Sequence, residues 1–327
     1  MPAHAVTREV ARVRFEPRPD AIELTGVSRW YGPVIGLNDV SLRVGSGVTG
    51  LLGPNGAGKS TLLRLVTGQI SASLGGVRVL GEPVFQNPNV LRSIGCCPDL
   101  EKFNDEWTGR QFVRSAAYLS GFSAREADAR ADDLLALVGL ADAGDRVIGA
   151  YSKGMRQRVK LAQALVADPE VIVFDEPLTG MDPVGRRQMV ELVRAFGAEG
   201  RTILVSSHVL HEVEAMTENV VLIHHGRVLA EGRVHEIRSL LKGYPHHIRI
   251  ELEENAPERR RALAQRLVAE VDLAGLRFDD EGLTVETTAP DPLFRVLEGL
   301  VVDDGYEVRK LYARDDSLEA VFDYLVR

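Results

Sequence analysis

The sequence predicts an α/β fold, in which buried parallel strands alternate with helices, followed by a smaller α+β domain. Three observations carry this. The runs "VIVFDEP" (171–177) and "TILVSSH" (202–208) are almost continuously apolar until their last residues, as strands buried on both faces are. The stretch "GPNGAGKST" (53–61) stands between an apolar strand, "GVTGLLG", and the helical run "GKSTLLRLVTGQI". From residue 246 the pattern changes to β-α-β-β-α-β, the order of a ferredoxin-like unit.

Along the chain, "AIELTGVSRWYG" (21–32) alternates apolar and polar residues like a half-buried strand. "NDVSLRV" and "GVTGLLG" follow as short strands separated by glycine. The helix after residue 58 places Leu62, Leu63, Leu65 and Val66 on one buried side. "GGVRVLGEPV" reads as strand and turn. Residues 108–140 turn helical, with Phe112, Val113, Ala116 and Leu119 in one run and Leu134, Leu135 and Val138 in a second. "VVLIHHGRVLAEG" reads as a hairpin. Gly243 and Pro245 punctuate the chain, so a first domain over 21–238 is expected, with an extension at 1–20 and a linker at 239–245.

The second domain, 246–327, should contain strand 246–252, helix 257–271, strands 276–279 and 283–288, helix 292–302, strand 306–313 and a final helix 317–326. The "DDEG" at 279–282 is a tight-turn signal between the middle strands.

Composition limits the function classes. The 327 residues are 45% hydrophobic and 26% charged, ordinary for globular domains, and long enough for two. A net charge of −8 argues against a dedicated nucleic-acid binder. No run approaches the apolar length of a membrane span, and the first twenty residues have no apolar signal core. A cytoplasmic chain is expected, one that needs a partner to act at a membrane. The only cysteines, Cys96 and Cys97, are adjacent, so they supply no disulfide framework and read as small strand hydrophobes.

The chemistry concentrates in three places. "GPNGAGKST" fits G-x-x-x-x-G-K-[ST], with a strand before it and a helix after it. Such a loop turns backbone N–H groups onto phosphate oxygens, and the helix N-terminus adds partial positive charge. Gly53, Pro54, Asn55, Gly56, Ala57, Gly58, Lys59, Ser60 and Thr61 would form that cradle. Lys59 would reach the terminal phosphates, and Ser60 would ligate Mg²⁺. Asp175 and Glu176 end the "VIVFDEP" strand, where two acids are costly without a cation or water to organise. Asp175 is the metal candidate, and Glu176 the group to polarise an attacking water. His208 ends the next buried strand, where ligands bind in open α/β sheets. It is expected to hydrogen-bond a γ-phosphate, whereas His211 should face solvent.

These residues, in this order, resemble the nucleotide-binding subunits of ATP-binding-cassette (ABC) transporters across roughly residues 21–238. Tyr31 in "RWYGPVIGLNDVSL" matches the aromatic that stacks on adenine. "GPNGAGKST" is the phosphate loop, and "YSKGM" (151–155) stands in the place of the signature loop LSGGQ. "VIVFDEP" matches the metal-binding strand with its catalytic Glu. "LTGMDP" (178–183) matches the dimer-contacting loop, with Asp182 as its acid, and "SSH" gives the switch His. Two departures stand out. Lys153 and Met155 replace glycine and glutamine in the signature loop, while Ser152 and Gly154 are kept. Asp99, in "IGCCPDL", stands where a Gln is expected, and becomes a third metal candidate.

The resemblance implies a P-loop NTPase of the ABC ATPase type that hydrolyses ATP with Mg²⁺ in a head-to-tail homodimer. Catalysis would fall to Glu176, His208 and Lys59, with Ser152 and Gly154 facing the partner's nucleotide. The "YSKGMRQRVKLAQAL" helix, the C-terminal extension and "DDSLEAVFDYLV" resemble ABC-2-type exporter subunits, which drive separate integral-membrane permeases from the cytoplasmic face. No nucleic acid is expected. Alternatives are a soluble ABC ATPase acting on ribosome or DNA, and a C-terminal module that senses a ligand or metal through His224, His225, His246 or His247. The single phosphate loop and the absence of a long coiled coil disfavour the former. Adjacent strand residues point to opposite faces, which disfavours the latter. Lys153 is expected at the solvent edge of the dimer.

Overall fold

The computed structural model describes residues 15–99, 103–234, 236, 246–253, 256–279 and 282–313. The chain divides into two compact units, Met1–Val234 and His235–Arg327. The expected linker at 239–245 and the expected helix at 317–326 lie outside the described residues. Among the described residues, no helix is long and apolar enough to cross a membrane.

The first unit holds two sheets. Strands β1 (Ile22–Tyr31), β2 (Val34–Val44), β4 (Leu74–Val79) and β5 (Glu82–Pro83) form an antiparallel sheet in the order β2-β1-β4-β5. The second sheet contains β3 (Gly47–Leu52), β6 (Ile94–Cys97), β7 (Val171–Asp175), β8 (Thr202–Ser207), β9 (Asn219–His224) and β10 (Arg227–Arg233), in the order β10-β9-β3-β8-β7-β6. All its pairings are parallel except the β9–β10 hairpin. All six residues of β8 are buried, as are Val171 to Phe174 of β7, so these strands carry apolar side chains on both faces.

The hairpin turn falls on His225 (φ 46°) and Gly226 (φ 75°), the two left-handed residues that a type I′ turn requires. Cys97 is buried in β6, and Cys96 beside it is half-buried. Burial pushes the Cys97 thiol up to about 12 and the Cys96 thiol up to about 11, so both stay protonated and unreactive at neutral pH.

Helices cover the sheet. They are α1 (Lys59–Val66), α2 (Pro88–Leu91), α3 (Gly109–Leu119), α4 (Ala124–Leu137), α5 (Lys153–Ala164), α6 (Pro183–Ala198) and α7 (Leu210–Glu214). Leu62, Leu63, Leu65 and Val66 of α1 are buried, on the side the periodicity indicates. Helices α3 and α4 each start with a full capping box, Thr108 with Gln111 and Ser123 with Glu126, which satisfies their first backbone donors. Leu119, one of the apolar residues of this run, is 86% exposed. It occupies the last turn, while Val113 and Ala117 make the buried contact.

The second unit contains β11 (His246–Leu252), α8 (Pro257–Glu270), β12 (Gly275–Phe278), β13 (Leu283–Thr287), α9 (Pro290–Val302) and β14 (Val308–Ala313). The sheet is antiparallel with order β12-β13-β11-β14, the ferredoxin-like arrangement. Ile248, Ile250 and Leu252 pack with Leu263, Leu267, Leu293 and Leu297 in its core.

Arg249 and Glu251 point to the other face of β11, yet they are only 2% and 3% exposed. Arg249 makes a two-pronged contact with Asp279, and Glu251 accepts from Arg309 Nη2 at 2.8 Å. Burial alone would raise the Glu251 carboxyl. The Arg309 hydrogen bond and the charges of Lys310, Arg309 and Arg249 outweigh it and hold the group below the usual carboxylate range.

A carboxyl whose folded pKa lies below its unfolded value stabilises the fold above the unfolded pKa, near 4.3, and loses that contribution as pH falls through the folded one. The second unit is therefore expected to loosen in acid below about pH 4. Hydrogen exchange of β11 and β14 between pH 7 and 3 checks this, and the effect should be smaller in Glu251→Gln.

Candidate functional site

The geometry of the site begins with strand register. In the parallel ladder Leu52 pairs with Ser207, and Asp175 pairs with Ser206. The ends of β3, β7 and β8 are therefore level, and the residues that follow them, Gly53, Glu176 and His208, emerge along one edge. This is where open α/β sheets bind ligands.

The phosphate loop connects β3 to α1. Gly56 and Gly58 have φ of 80° and 111°, a region in which only glycine is unstrained. A Cβ on Gly58 would lie 2.7 Å from the Gly36 carbonyl oxygen, so the close approach also requires glycine. The β9–β10 turn clasps the loop, since Gly226 N donates to the Ala57 carbonyl at 2.8 Å. Asn38 N donates to Gly226 O at the same distance. Ser60 is exposed on the first turn of α1, and Thr61 is half-buried.

Lys59 is only 5% exposed. Its ammonium donates to Gly53 O at 2.6 Å and to Pro54 O at 3.3 Å. It also lies 3.4 Å from Glu176 Oε1. The other oxygen of that carboxylate, Oε2, is 2.9 Å from His208 Nδ1. Lys59, Glu176 and His208 thus form a continuous chain at the sheet edge. Glu176 has φ 50°, left-handed for a residue with a side chain, a kind of strain that clusters at functional sites.

Ser206, fully buried, holds this turn. Its hydroxyl donates to Asp175 Oδ1 at 2.6 Å and accepts from Glu176 N at 3.1 Å. Sequence reasoning missed Ser206, although a hydroxyl near the end of a fully buried strand was a signal.

Tyr31 ends β1 and is 39% exposed. Its hydroxyl is 3.5 Å from Thr61 Oγ1. The Arg29 guanidinium lies 5.1 Å from the ring centroid, and its Nη1 donates to Ser71 O at 3.0 Å.

Other expected residues lie apart. Asp99 is exposed after β6 and makes no hydrogen bond or ion pair among the described residues. The carbonyl of its neighbour Pro98 accepts from the buried Lys160 at 2.6 Å. Ser152 caps α5, accepting from Met155 N at 3.3 Å. Among the described residues no hydrogen bond or ion pair joins 152–154 to the phosphate loop. Tyr151 anchors the start of this stretch by donating to the Ala143 carbonyl at 2.7 Å.

Lys153 is exposed, but its side chain runs across the "LTGMDP" loop. A Cβ on Gly180 would lie 2.2 Å from Lys153 Cδ. Asp182 caps α6 by accepting from Gly185 N at 2.7 Å. His211 is exposed, and the rings of His224 and His225 meet edge to face with centroids 4.0 Å apart. Among the described residues, no group of three or more His, Cys, Asp or Glu is arranged to hold a metal by itself.

Known proteins share this fold and much of this sequence. The ABC transporter family model matches residues 37–179. Over 304 residues the chain is 34% identical to the Nod factor export ATP-binding protein I of Rhizobium sp. (strain N33), spanning 92% of this chain and 95% of that one. It is 34% identical over 310 residues to the daunorubicin resistance ATP-binding protein DrrA3 of Streptomyces coeruleorubidus, spanning 93% and 95%. A solved ATP-binding subunit of an ABC transporter superposes with a TM-score of 0.61 at 29% identity, over 68% of this chain and 93% of that one. A bacterial ABC transporter cassette solved as a dimer shares the fold, with a TM-score of 0.61 at 22% identity over 65% and 98% of the two chains.

A phosphate loop with acids at the ends of neighbouring parallel strands is the arrangement of P-loop NTPases, and the relatives spanning more than nine-tenths of the chain narrow the class to an ATP-binding cassette. The chain belongs to the ABC transporter family and is an ATP-binding subunit that hydrolyses ATP.

Gly58→Ala tests the cradle. Strain of about 1–3 kcal/mol at the left-handed position, plus the clash with Gly36 O, should weaken ATP binding by tenfold or more. Calorimetric titration reads this, and unchanged affinity would exclude the loop from binding.

Proposed function

We propose that two copies of this chain pair head to tail, enclose two ATP molecules, and drive a separate integral-membrane permease of exporter type. The subunit works on the cytoplasmic face, held there by the permease. The observation that supports this best is the likeness, over more than nine-tenths of the chain, to relatives whose names refer to export and to drug resistance, while the Lys59–Glu176–His208 chain supports the hydrolytic step.

In this reading the phosphate loop holds the β- and γ-phosphates by its N–H groups and by Lys59. Tyr31 stacks on the adenine, with Arg29 behind its ring. Ser60 and Asp175 would hold Mg²⁺ beside the phosphates, where it would supply positive charge against the charge that develops in the reaction. The residues suit it: Ser60 and Asp175 offer the hard oxygen donors that Mg²⁺ takes, directly or through water. Asp99 is proposed as a further ligand through water, being an exposed carboxylate.

Lys59 and His208 turn from Glu176 to the γ-phosphate, which frees the carboxylate to accept a proton from the attacking water. The water oxygen bonds to phosphorus as the bond to the ADP oxygen breaks. Ser152 and Gly154 of the partner copy close the site at the positive end of α5, and Asp182 contacts the opposite protomer. Closure by ATP and reopening after hydrolysis form a two-state element biased by the γ-phosphate. Relatives whose names refer to export and to drug resistance support an outward direction.

Glu176→Gln removes the proton acceptor and keeps the shape. It should still bind ATP, accumulate as a closed dimer on size exclusion, and lose about 10²–10⁴-fold in turnover. Wild-type turnover would exclude Glu176 as the base. Affinity purification of the subunit from its host's membranes should bring down a polytopic membrane protein. Recovery of ribosomes or DNA instead would replace the transport reading.

A further inference from the structure

A buried carboxylate near the site has no role in the reaction described above. Glu212 lies on α7, four residues after His208, and is 9% exposed. Its Oε2 accepts from the Ser207 hydroxyl at 3.1 Å. Its Oε1 lies 3.2 Å from Arg186 Nη1. Arg186 is on α6, four residues after Asp182, and its Nε donates to the Met181 carbonyl at 3.1 Å. The Ser207 hydroxyl also accepts from Val209 N at 3.0 Å.

The polar path therefore runs from the backbone beside Asp182, through Arg186 and Glu212, to the backbone on both sides of His208. A carboxylate this buried is costly to leave unpaired. Arg186 uses separate nitrogens for its two contacts, so its planar fork fixes their relative geometry. If the Met181 carbonyl moves, Arg186 must follow or release Glu212. If Glu212 moves, Ser207 and the His208 backbone move with it.

We propose that Arg186 and Glu212 are positioning residues that couple the His208 segment to the Asp182 loop. Contact of His208 with the γ-phosphate would then set the posture of the loop that meets the partner copy, and the reverse. The inference rests on the dimer reading above. It adds a named path by which one nucleotide's state reaches the other protomer. The coupling is reciprocal, as linkage between two sites requires.

The test uses the full chain. Arg186→Lys keeps the positive charge but has one compact ammonium in place of the fork, so it cannot hold Glu212 and Met181 O in the same geometry. Glu212→Gln keeps the size and the Ser207 contact but loses the charge. Turnover and its ATP dependence are measured with melting temperature, and ATP-driven dimerisation is followed in the Glu176→Gln background.

The expected result is that each variant melts close to wild type and binds ATP with similar affinity. Each loses about tenfold in kcat, and the Hill coefficient falls towards about 1. The double variant should be no worse than the weaker single one, because both break one path. Wild-type kcat and Hill coefficient in Arg186→Lys overturn the proposal, as does an additive loss of melting temperature with kcat retained. A wild-type chain that stays monomeric with ATP fails the dimer reading first and removes the link with it.

Discussion

The site depends on the parallel register of three strands. β3, β7 and β8 are locked by backbone hydrogen bonds into a ladder whose ends are level, and each end delivers a different chemical group. A slip of one residue would turn every side chain of a strand to the opposite face. Strands apolar on both faces lose little burial in such a slip, so burial alone does not choose the register. The backbone ladder and the polar residues at the rim do, since a slip would part Asp175 and Glu176 from Ser206.

The rim residues also hold one another. Ser206 ties Asp175 to the backbone of Glu176, and Glu176 ties Lys59 to His208. Three segments far apart in sequence share one connected polar cluster in a mostly buried setting. Polar networks of this kind fix geometry when every member is satisfied. The strained φ of Glu176 belongs to the same arrangement: it turns the carboxylate back over the phosphate loop instead of continuing the strand.

Much of this was legible in the sequence. Continuous apolar runs identified the buried strands, and the glycine spacing identified the phosphate loop. Acids and a histidine at strand ends identified the rim. The second unit's element order was equally legible from its periodicity and turn signals. What was not legible depended on tertiary neighbours. Nothing local indicates that Gly226 clasps Ala57, or that Arg186 meets Glu212, because those partners are brought together only by the packed sheet. Nor does sequence place β1, β2, β4 and β5 in a separate antiparallel sheet, since a half-buried strand reads the same in either. Nor does an apolar run show which of its members end up exposed, as Leu119 does in the last turn of α3.

The contact of Lys153 with Gly180 bears on how this chain can be recombined with its relatives. The long side chain is exposed and flexible, so a side chain added at 180 would push it aside at little cost. What fixes glycine at 180 is the backbone, whose φ of 73° strains any other residue. A chimera that imports a signature stretch with glycine at 153 therefore leaves the 178–183 loop unstrained. One that imports any other residue at 180 carries that strain whatever stands at 153. The start of α5 can be exchanged alone, whereas the 178–183 loop must keep its glycine.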